Sequence, residues 1–387
     1  MRPRLLIATT VPETLAFILQ DQPRFLSQYF DVDMVTSTGH HLEKLAFEQV
    51  PIHAIRMERG ISPLSDLVSI SRMIWLMLKL RPDIVHSYTP KAGFVCMLAA
   101  WICRVPVRVH TFTGLIWPNA TGWRKSLLKT VDRLLCICAT EIVPESAGVL
   151  YDLKKNQITE KPLRVIGYGN VAGVDVENFS PRAPGVKSAC IQLQKRYGIT
   201  RQNFVFVFVG RLNRDKGVNE LLTAFIQLPD HCRLFVLGDL DDSAPISVET
   251  LHLLKLHHRV HFIGFQQDIR PAVLASDVLV LPSYREGFPN VVLQAGAMER
   301  AVIASDISGC NEVITSRFNG WLVPIKNINA LANTMHLALA TPPLVLQEMG
   351  RLGRIRVKNR FERGAHWQRM LIFYRSLYTK FMRNETT

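Results

Sequence analysis

The sequence lacks a hydrophobic run long enough to cross a lipid bilayer. A membrane-spanning helix needs about 20 mostly apolar residues, and the nearest candidate, Phe94–Cys103, has ten. At the N-terminus a basic start leads into an apolar stretch that Thr9, Thr10 and Pro12 interrupt, so no signal peptide is expected. We therefore predict a cytoplasmic protein. Its mean hydropathy of +0.11 is high for a soluble protein, which is consistent with contact with a membrane surface.

Cysteines are few and are not paired in the sequence. There are seven, with no Cys-x-x-Cys motif. An odd number of scattered cysteines predicts buried free thiols rather than a disulfide framework. The pattern also lacks the ligand spacing of a zinc site. With 48% hydrophobic residues the chain can bury a large core, which excludes an intrinsically disordered protein.

Acidic residues are in short supply relative to basic ones. The chain has 46 Lys and Arg against 32 Asp and Glu, and its formal charge is +14. Residues 341–387 carry ten basic and three acidic residues, half of the excess. Such a surface attracts anions, which include nucleic acid, acidic lipid and phosphorylated substrates. For the basic and aromatic segment Arg351–Met382 we expect an amphipathic helix with outward cations; a nucleic-acid-binding arm is the alternative.

Apolar strands alternate with helical segments along the whole chain, which favours parallel sheets covered by helices on both faces. One early helix is expected over Leu15–Tyr29, and Asn203–Gly210 has the Phe/Val composition of a strand buried on both faces. A Gly- and Pro-rich stretch from Gly167 to Gly185 marks a domain boundary. We predict an α/β protein with two doubly wound, Rossmann-like domains facing across a cleft, residues 1–180 and 181–365, and a C-terminal helix over 366–387 that returns to the first domain.

A glycine-containing basic loop follows the Phe/Val strand. It reads Gly210-Arg211-Leu212-Asn213-Arg214-Asp215-Lys216-Gly217, and a helix is predicted to begin directly after it. Glycine lets a ligand approach the backbone, and a helix N-terminus favours an anion. Arg211 and Lys216 are therefore candidate ligands of a diphosphate. The loop is not a Walker A motif, and a solvated turn with two surface cations is the alternative.

A second loop of this kind follows a later strand. It reads Ser283-Tyr284-Arg285-Glu286-Gly287-Phe288-Pro289-Asn290, and the helix after it contains Gln294. Glu286 precedes a helix N-terminus, where an acidic residue is favourable. It is either a site residue or a helix cap.

Together the two loops resemble the retaining nucleotide-sugar glycosyltransferases of family four, which have the two-domain GT-B fold. The matching motifs are Gly210-Arg211-x4-Lys216-Gly217 and Glu286-Gly287-Phe288-Pro289-Asn290 with Gln294. Further similarity lies in Arg81–His86, Val109–Gly114 and the stretch from Gly167 to Pro181. The resemblance covers nearly the whole chain, and bacterial capsule, O-antigen and lipid-linked oligosaccharide enzymes are the most similar members.

The resemblance implies a role for each matched position. Arg211 and Lys216 hold the donor diphosphate and stabilise its departure, and Glu286 contacts hydroxyls of the donor sugar. The remaining donor-binding positions are Gly210, Gly287, Phe288, Pro289, Asn290 and Gln294. Family members usually have a second Glu at the position of Gln294, where it binds ribose hydroxyls. An amide still forms hydrogen bonds there, but without the strength that a charge adds.

The N-terminal half supplies the predicted acceptor side. His110 ends a strand, where a doubly wound sheet presents ligand groups, and similar enzymes place a His near the donor sugar. A core histidine is the alternative. Acceptor-side positions by the same reasoning are Thr111, Thr113 and Gly114. The loop after the first strand, Thr9–Thr14, lacks the glycines that many relatives have there.

An aromatic and basic segment follows these residues. Tryptophan favours the membrane interface, and basic residues near an anionic leaflet contribute about 1 kcal/mol each. This segment predicts a surface that contacts an anionic membrane; a solvated helix with a partly buried Trp is the alternative. Its members are Trp117, Trp123, Arg124, Lys125, Leu127, Leu128 and Lys129.

The sequence therefore predicts a peripheral enzyme at the inner face of the cell membrane. It would move a hexose or N-acetylhexosamine from a nucleotide sugar, UDP more readily than GDP, to a lipid-linked saccharide. No cofactor, metal ion or nucleic acid is expected. The pairs Asp31-x-Asp33 and Asp239-x-Asp241 look like metal motifs but are interpreted as structural. The alternatives are a UDP-N-acetylglucosamine 2-epimerase-like enzyme, which shares the fold, and a non-enzymatic polyanion- or RNA-binding protein.

Overall fold

The computed structural model describes residues 2–39, 41–58, 60, 62–242 and 244–383. Within this range the chain forms two compact units. The first unit combines Met1–Ala172 with Gly364–Thr387, and the second is Gly173–Arg363.

The first unit is built on a parallel sheet of six described strands in the order β3-β2-β1-β4-β5-β6. These strands are β1 (Arg4–Ala8), β2 (Asp31–Thr36), β3 (Ile52–Ala54), β4 (Ile84–Ser87), β5 (Val107–Phe112) and β6 (Glu141–Pro144). Its helices up to Lys155 are α1 (Gln22–Leu26), α2 (Pro63–Leu80), α3 (Pro90–Ile102), α4 (Gly122–Cys138) and α5 (Ala147–Lys155). Proline occupies the first position of α2 and of α3, where its fixed φ suits a helix start.

Side chains of each strand alternate between two cores. In β1, Leu6 and Ala8 pack in the core with α2 to α5, whereas Leu5 and Ile7 pack in the core on the opposite face of the sheet. Successive strand residues point to opposite faces, so a sheet covered on both sides needs continuous apolar strands. The predicted parallel sheet with helices on both faces is confirmed.

The prediction of one continuous helix over Leu15–Tyr29 is wrong. The structure has a short π-helix at Thr14–Ile18 and then the short helix α1. Asp21, between them, has φ of 65°, a left-handed conformation that no α-helix interior contains. Pro23 then lies in the first turn of α1, where it is tolerated.

The second unit repeats this architecture with six described strands in the order β12-β11-β10-β7-β8-β9. They are β7 (Phe204–Val209), β8 (Cys232–Leu237), β9 (Val260–Gly264), β10 (Val278–Leu281), β11 (Ala301–Ser305) and β12 (Gly320–Val323). Its helices are α6 (Val186–Arg196), α7 (Val218–Phe225), α8 (Val248–Leu256), α9 (Arg270–Leu274), α10 (Asn290–Ala297), α11 (Cys310–Val313), α12 (Ile328–Ala340) and α13 (Pro343–Phe361). The predicted Phe/Val strand is β7, whose central residues are buried.

The second unit begins at Gly173, earlier than the boundary predicted at residue 181. Val174 and Val176 pack in its core. The backbone N–H of Val174 also donates to the carbonyl of Phe361 at 2.7 Å. These contacts place residues 173–180 with the second unit, although their glycine and proline content looks like a linker.

The last helix, α14 (Arg363–Arg383), belongs to the first unit from Gly364 onward. It begins three residues before the predicted residue 366, and residues 384–387 of the predicted helix lie outside the described range. Tyr374 is buried, and its hydroxyl lies 2.6 Å from Nδ1 of His86. The predicted return of the C-terminal helix to the first domain is confirmed.

The outward cations predicted for the C-terminal segment are in part wrong. Arg354 donates to the backbone carbonyls of Val176 and Phe179, and Arg356 donates to the carbonyl of Val313 at 2.7 Å. Guanidinium groups satisfy carbonyls that secondary structure leaves unpaired. These two arginines therefore stabilise the second unit rather than face solvent.

The structure bears on two sequence predictions, free thiols and the lack of a membrane-spanning helix. All seven cysteines lie in the described range as free thiols, and six of them are buried, as predicted. Among the described residues, no helix is both long enough and apolar enough to span a membrane.

Candidate active site

The two candidate loops leave the sheet of the second unit at neighbouring points. The first loop (210–217) follows β7, and the second loop (282–289) follows β10. β7 and β10 are adjacent, and the strand order reverses between them. Ligands of doubly wound sheets bind at such a switch point, beside the carboxyl ends of the strands. The N–H of Tyr284 donates to the carbonyl of Asp215 at 2.8 Å and joins the two loops.

The first loop is held by its own side chains and by glycine. Oδ1 of Asn213 accepts a hydrogen bond from the N–H of Lys216 at 3.0 Å and caps a 3-10 turn, Arg214–Lys216. Gly217 then has φ of 68°, and a Cβ there would collide with the carbonyl oxygen of Pro282. Only glycine fits this close approach without strain. The turn aims Lys216 at the second loop.

Lys216 and Glu286 form an ion pair between the loops. Nζ of Lys216 donates to Oε1 of Glu286 at 2.5 Å, and the two side chains are 20% and 12% exposed. A charge-assisted hydrogen bond that is largely shielded from water orders both partners. The helix-cap alternative for Glu286 is wrong. Helix α10 begins four positions later, at Asn290, and its preceding residue Pro289 makes no side-chain cap.

Arg211 lies in the same loop but has a different partner. Its guanidinium donates to Oδ2 of Asp241, which also accepts from Nδ2 of Asn213 at 2.9 Å. The Arg211 side chain is 60% exposed, so its charge remains accessible to a ligand. Asp241 therefore orients a cation of the first loop, in line with the structural interpretation of Asp239-x-Asp241.

No acidic pair becomes part of a metal-binding cluster in the described part of the chain. Oδ1 of Asp33 lies 2.8 Å from Nε2 of His53, a contact between two strands. Over the described residues, no group of three His, Cys, Asp or Glu side chains is placed to hold a metal ion. The expectation that no metal is needed stays a prediction.

The second loop is fixed by packing on both sides. The Phe288 side chain is buried, and its ring lies 5.3 Å from that of Phe361. On the other side Gly309 has φ of 79°, and a Cβ there would press on the carbonyl oxygen of Gly287. This packing holds the backbone from Gly287 to Asn290 at the N-terminus of α10, where free N–H groups favour an anion.

Gln294 lies one turn into α10 and is half-buried. Among the described residues, its side-chain amide has no hydrogen-bond partner. It remains available for a ligand group near the second loop, as the resemblance implies.

The sequence alone did not reveal several contacts around these loops. Nη2 of Arg285 lies 3.1 Å from Oδ2 of Asp215, and the hydroxyl of Tyr284 donates to Glu220 at 2.5 Å. Burial and the Glu220 carboxylate raise the pKa of Tyr284 above its usual value. The partners lie 64 and 70 positions apart. No local sequence signal identifies them.

Cys310 lies close enough to the ion pair to sense its charges. The thiol is fully buried at the start of α11. Burial and then the negative charge of Glu286 raise the pKa of Cys310 well above its ordinary value. It is therefore a neutral, unreactive thiol next to the Lys216–Glu286 pair.

In the first unit, His110 is buried in the sheet. Its Nδ1 lies 2.9 Å from Oγ of Ser87, and the ring packs so closely on Gly93 that a Cβ there would collide with it. Burial lowers the pKa of His110 to about 3, so the imidazole is neutral at physiological pH. Within the described part of the chain, its Nε2 is buried without a hydrogen-bond partner. The role predicted for His110 stays a prediction.

The predicted acceptor-side residues lie near the end of β5. Thr111 is buried, and its hydroxyl lies 2.7 Å from Nε2 of His86. Thr113 donates to the carbonyl of Tyr88 at 3.3 Å, and Gly114 has a φ of 108° that glycine adopts readily. These contacts stabilise the end of β5, and all of the residues that form them belong to the first unit.

The predicted membrane segment divides into a buried and an exposed part. Trp117 was expected at the surface, but it is only 3% exposed, and its indole N–H donates to Oδ2 of Asp132 at 2.9 Å. The surface assignment of Trp117 is therefore wrong, because the indole fills the core under α4. Trp123 is 72% exposed and Arg124 is exposed, whereas Lys125 is half-buried.

Comparison with known proteins gives the same family for both halves of the chain. Residues 203–341 match the family model "Glycosyl transferases group 1", and residues 25–169 match the model "Glycosyl transferase 4-like domain". Together these segments span well over half of the sequence.

Similar proteins match over nearly the full length. The capsular polysaccharide biosynthesis glycosyltransferase CapM of Staphylococcus aureus is 29% identical over 371 residues, 95% of this chain and 94% of CapM. The UDP-Gal:alpha-D-GlcNAc-diphosphoundecaprenol alpha-1,3-galactosyltransferase of Escherichia coli is 29% identical over 89% of this chain and 88% of its own.

Among solved structures, HepE of Anabaena in complex with UDP superposes with a TM-score of 0.80 at 20% identity, covering 97% of this chain and 100% of HepE. This likeness concerns the fold. With the two family models and the full-length relatives, it leads to one conclusion: the chain belongs to the group 1 glycosyltransferases and has the GT-B fold.

Proposed function

We propose that this protein is a retaining glycosyltransferase that uses a UDP-sugar. It transfers a hexose or N-acetylhexosamine to a saccharide linked to a polyprenyl diphosphate, in the assembly of a surface polysaccharide. The C1–O bond to the diphosphate breaks, a C1–O bond to an acceptor hydroxyl forms, and UDP and the hydroxyl proton are released.

The single observation that carries the proposal is the Lys216–Glu286 pair at the switch point of the second unit. A cation and a carboxylate from two separate loops meet there at 2.5 Å, beside the N-terminus of α10. A diphosphate needs positive charge and N–H donors, and sugar hydroxyls need a carboxylate acceptor. Both requirements are met within one small region.

The chemistry of the step calls for this arrangement. As the sugar leaves its diphosphate, positive charge develops on the sugar ring and negative charge on the leaving oxygen. Lys216, the exposed guanidinium of Arg211 and the N–H groups at the start of α10 are preorganised to stabilise that oxygen. Because protein cations can supply this charge, we propose that the reaction needs no metal ion and continues in EDTA.

The named relatives support the donor and acceptor classes. The E. coli relative is an alpha-1,3-galactosyltransferase with UDP-Gal as donor and a diphosphoundecaprenol-linked sugar as acceptor. UDP-galactose carries its sugar in the α configuration, so an α-linked product retains that configuration. We extend both features to this chain and place the acceptor on the first unit.

A lipid-linked acceptor requires work at a membrane. We propose that the protein binds peripherally at the inner face of the cell membrane. The net charge of +14 favours an anionic leaflet, to which each nearby basic residue contributes about 1 kcal/mol.

The test is release of the nucleoside diphosphate, UDP or GDP, from a panel of UDP- and GDP-sugars, with and without a detergent extract of polyprenyl-linked saccharides. We expect release from one UDP-sugar that depends on the lipid extract, with EDTA present throughout, and an α-linked product by NMR. GDP release from a GDP-sugar without UDP release from any UDP-sugar, a β-linked product, or epimerised UDP-sugar without transfer would each overturn a stated part of the proposal.

A further inference from the structure

Helix α2 of the first unit has an exposed apolar face. Leu64 is 82% exposed and Trp75 is 64% exposed. Leu67, Val68 and Leu78 are exposed to similar degrees. These five residues, named here the α2 face, follow helical spacing and lie along nearly the whole length of the helix.

The opposite side of α2 is also apolar and is buried in the core. Ile70, Met73 and Met77 pack against the first sheet with α3. A helix that is apolar around its circumference is normally enclosed by apolar surroundings on all sides. In α2 the described part of the chain covers one side and leaves the other exposed. A contiguous exposed patch of this kind marks a site of interaction with a protein or a membrane.

The α2 face continues onto the end of α3. Sγ of Cys103 lies 3.8 Å from the carbonyl oxygen of Ile74. The end of α3 therefore lies beside the last turns of α2. Trp101 and Ile102 are about half-exposed at this point. Two tryptophans, Trp75 and Trp101, thus lie on neighbouring helix ends.

Basic residues outnumber acidic residues on the helices around this patch. Residues 63–138, which hold α2, α3 and α4, contain ten Lys and Arg and three Asp and Glu. Each of the three acids has an internal partner. Asp66 pairs with Lys91 at 2.7 Å, Asp83 accepts from the N–H of Arg4, and Asp132 accepts from Trp117. On α2 itself the exposed charges are cations, and Nζ of Lys79 lies 5.4 Å from the ring centroid of Trp75.

We propose that the α2 face is the surface by which this protein lies on an anionic lipid bilayer. Leucine and tryptophan side chains enter the interfacial region, and Arg72 and Lys79 remain at the level of the anionic headgroups. The inference rests on the proposed function in that a lipid-linked acceptor gives the protein a reason to bind a membrane. It moves the main contact from the predicted α4 segment to α2. Interaction with a second copy of the chain would cover the apolar side chains but would bring like charges together.

The test compares two double variants of the full-length protein. Leu67→Glu with Trp75→Glu changes the α2 face, and Val248→Glu with Leu256→Glu changes equally exposed apolar residues on α8. Both variants gain the same negative charge, so a difference between them reports position rather than net charge. Co-sedimentation is measured with vesicles of phosphatidylcholine containing 30% phosphatidylglycerol and with pure phosphatidylcholine. Thermal unfolding and light scattering are measured on the same samples.

We expect the wild-type and the α8 variant to bind the anionic vesicles. The α2 variant should lose at least fivefold in partitioning, with an unchanged midpoint of unfolding. Equal binding by the α2 and α8 variants would overturn the proposal. So would a wild-type dimer that the α2 variant converts to a monomer while neither protein binds vesicles, because the face would then join two copies.

A second measurement does not depend on a charged substitution. Vesicles with brominated acyl chains should quench the tryptophan fluorescence of the wild-type protein, and Trp75→Phe should reduce that quenching while binding persists. Unchanged quenching in Trp75→Phe contradicts the proposal.

UDP release with a detergent-solubilised acceptor separates this proposal from the proposed function. The α2 variant should keep that activity within about twofold, since its donor loops are unaltered. UDP release by a wild-type protein that does not bind vesicles would support the proposed function and refute membrane binding by the α2 face. Vesicle binding through α2 without release from any donor supports the surface and refutes the function.

Discussion

Nζ of Lys216 lies 2.5 Å from Oε1 of Glu286, although 70 positions separate the two residues in the chain. Each group is the counter-ion of the other, and each also has a proposed ligand of its own. A diphosphate that binds Lys216 competes with the Glu286 carboxylate, which then becomes available to hydroxyls of the sugar. Under the proposed function, the pair therefore links recognition of the two halves of the donor.

Loss of either cation should slow transfer. We expect Lys216→Ala and Arg211→Ala to lower turnover by roughly 10²–10³-fold, the effect of removing one preorganised donor from a developing negative charge. The measurement is steady-state UDP release. Lys187→Ala, which removes an exposed cation of the same unit, serves as the control. Turnover near that of the wild-type in both loop variants would contradict the assignment.

Neutralising Glu286 should separate nucleotide binding from turnover. Glu286→Gln removes the charge that competes for Lys216, so UDP alone should bind about threefold more tightly, roughly 0.7 kcal/mol for a partly screened pair. Turnover should fall, because the sugar loses a carboxylate acceptor. Calorimetry with UDP and UDP release with the full donor give the two quantities. Glu249→Gln, on the surface of α8, should change neither. Weaker UDP binding in Glu286→Gln would show that the pair does not compete with the diphosphate.

Restoring a carboxylate at position 294 should strengthen nucleotide binding. A charge-assisted hydrogen bond is roughly twice as strong as a neutral one. Gln294→Glu should therefore gain about 1 kcal/mol, or roughly fivefold, in UDP affinity. Titration with UDP and with its 2′,3′-dideoxy form tests the ribose contact. The gain should vanish with the dideoxy nucleotide, and an equal gain with both would place the effect elsewhere.

Acid should destabilise the first unit through buried His110. The folded pKa is about 3 because burial disfavours the charged ring, whereas an unfolded histidine has a pKa of about 6.5. Between these values the unfolded chain binds the extra proton, so stability falls as pH falls below about 6.5. From pH 7.5 to 5.0 this one residue should cost about 2 kcal/mol.

Urea unfolding at the two pH values measures the loss. His110→Asn, which can keep a hydrogen bond to Ser87, should lose about 2 kcal/mol less than the wild-type over the same interval. Other groups titrate in this range, among them Asp132, whose burial raises its pKa to about 7 and acts in the opposite direction. The comparison cancels such groups, because the variant retains them. His336→Asn, at an exposed position, should behave like the wild-type.

Much of the architecture could be predicted from local patterns. The Phe/Val run of β7 identifies a strand buried on both faces, since such composition is stable only between two layers. Glycine in the first loop was expected to leave room for a ligand; at Gly217 the structure shows the carbonyl of Pro282 in that space instead. The order and spacing of the two loop motifs were sufficient to recognise the family.

Other features depended on residues far apart in the chain. In the sequence Glu286 could be a helix cap or a ligand-site residue; the start of α10 at Asn290 and the contact of Glu286 with Lys216 distinguish the two. Trp117 and Trp123 belong to the same predicted membrane segment, yet one fills a core and the other is exposed. Apolar residues precede Trp117 and basic residues follow Trp123, but the packing of each indole depends on which helix covers it.

The sequence by itself therefore determined the alternation of strands and helices, the glycine turns and the family. These follow from hydrophobic periodicity and backbone sterics, which act within a few residues. The tertiary structure alone decided that Lys216 meets Glu286, that His110 is a neutral buried ring and that α2 exposes an apolar face. Those facts depend on strand order and on how helices cover a sheet, and long-range packing sets both.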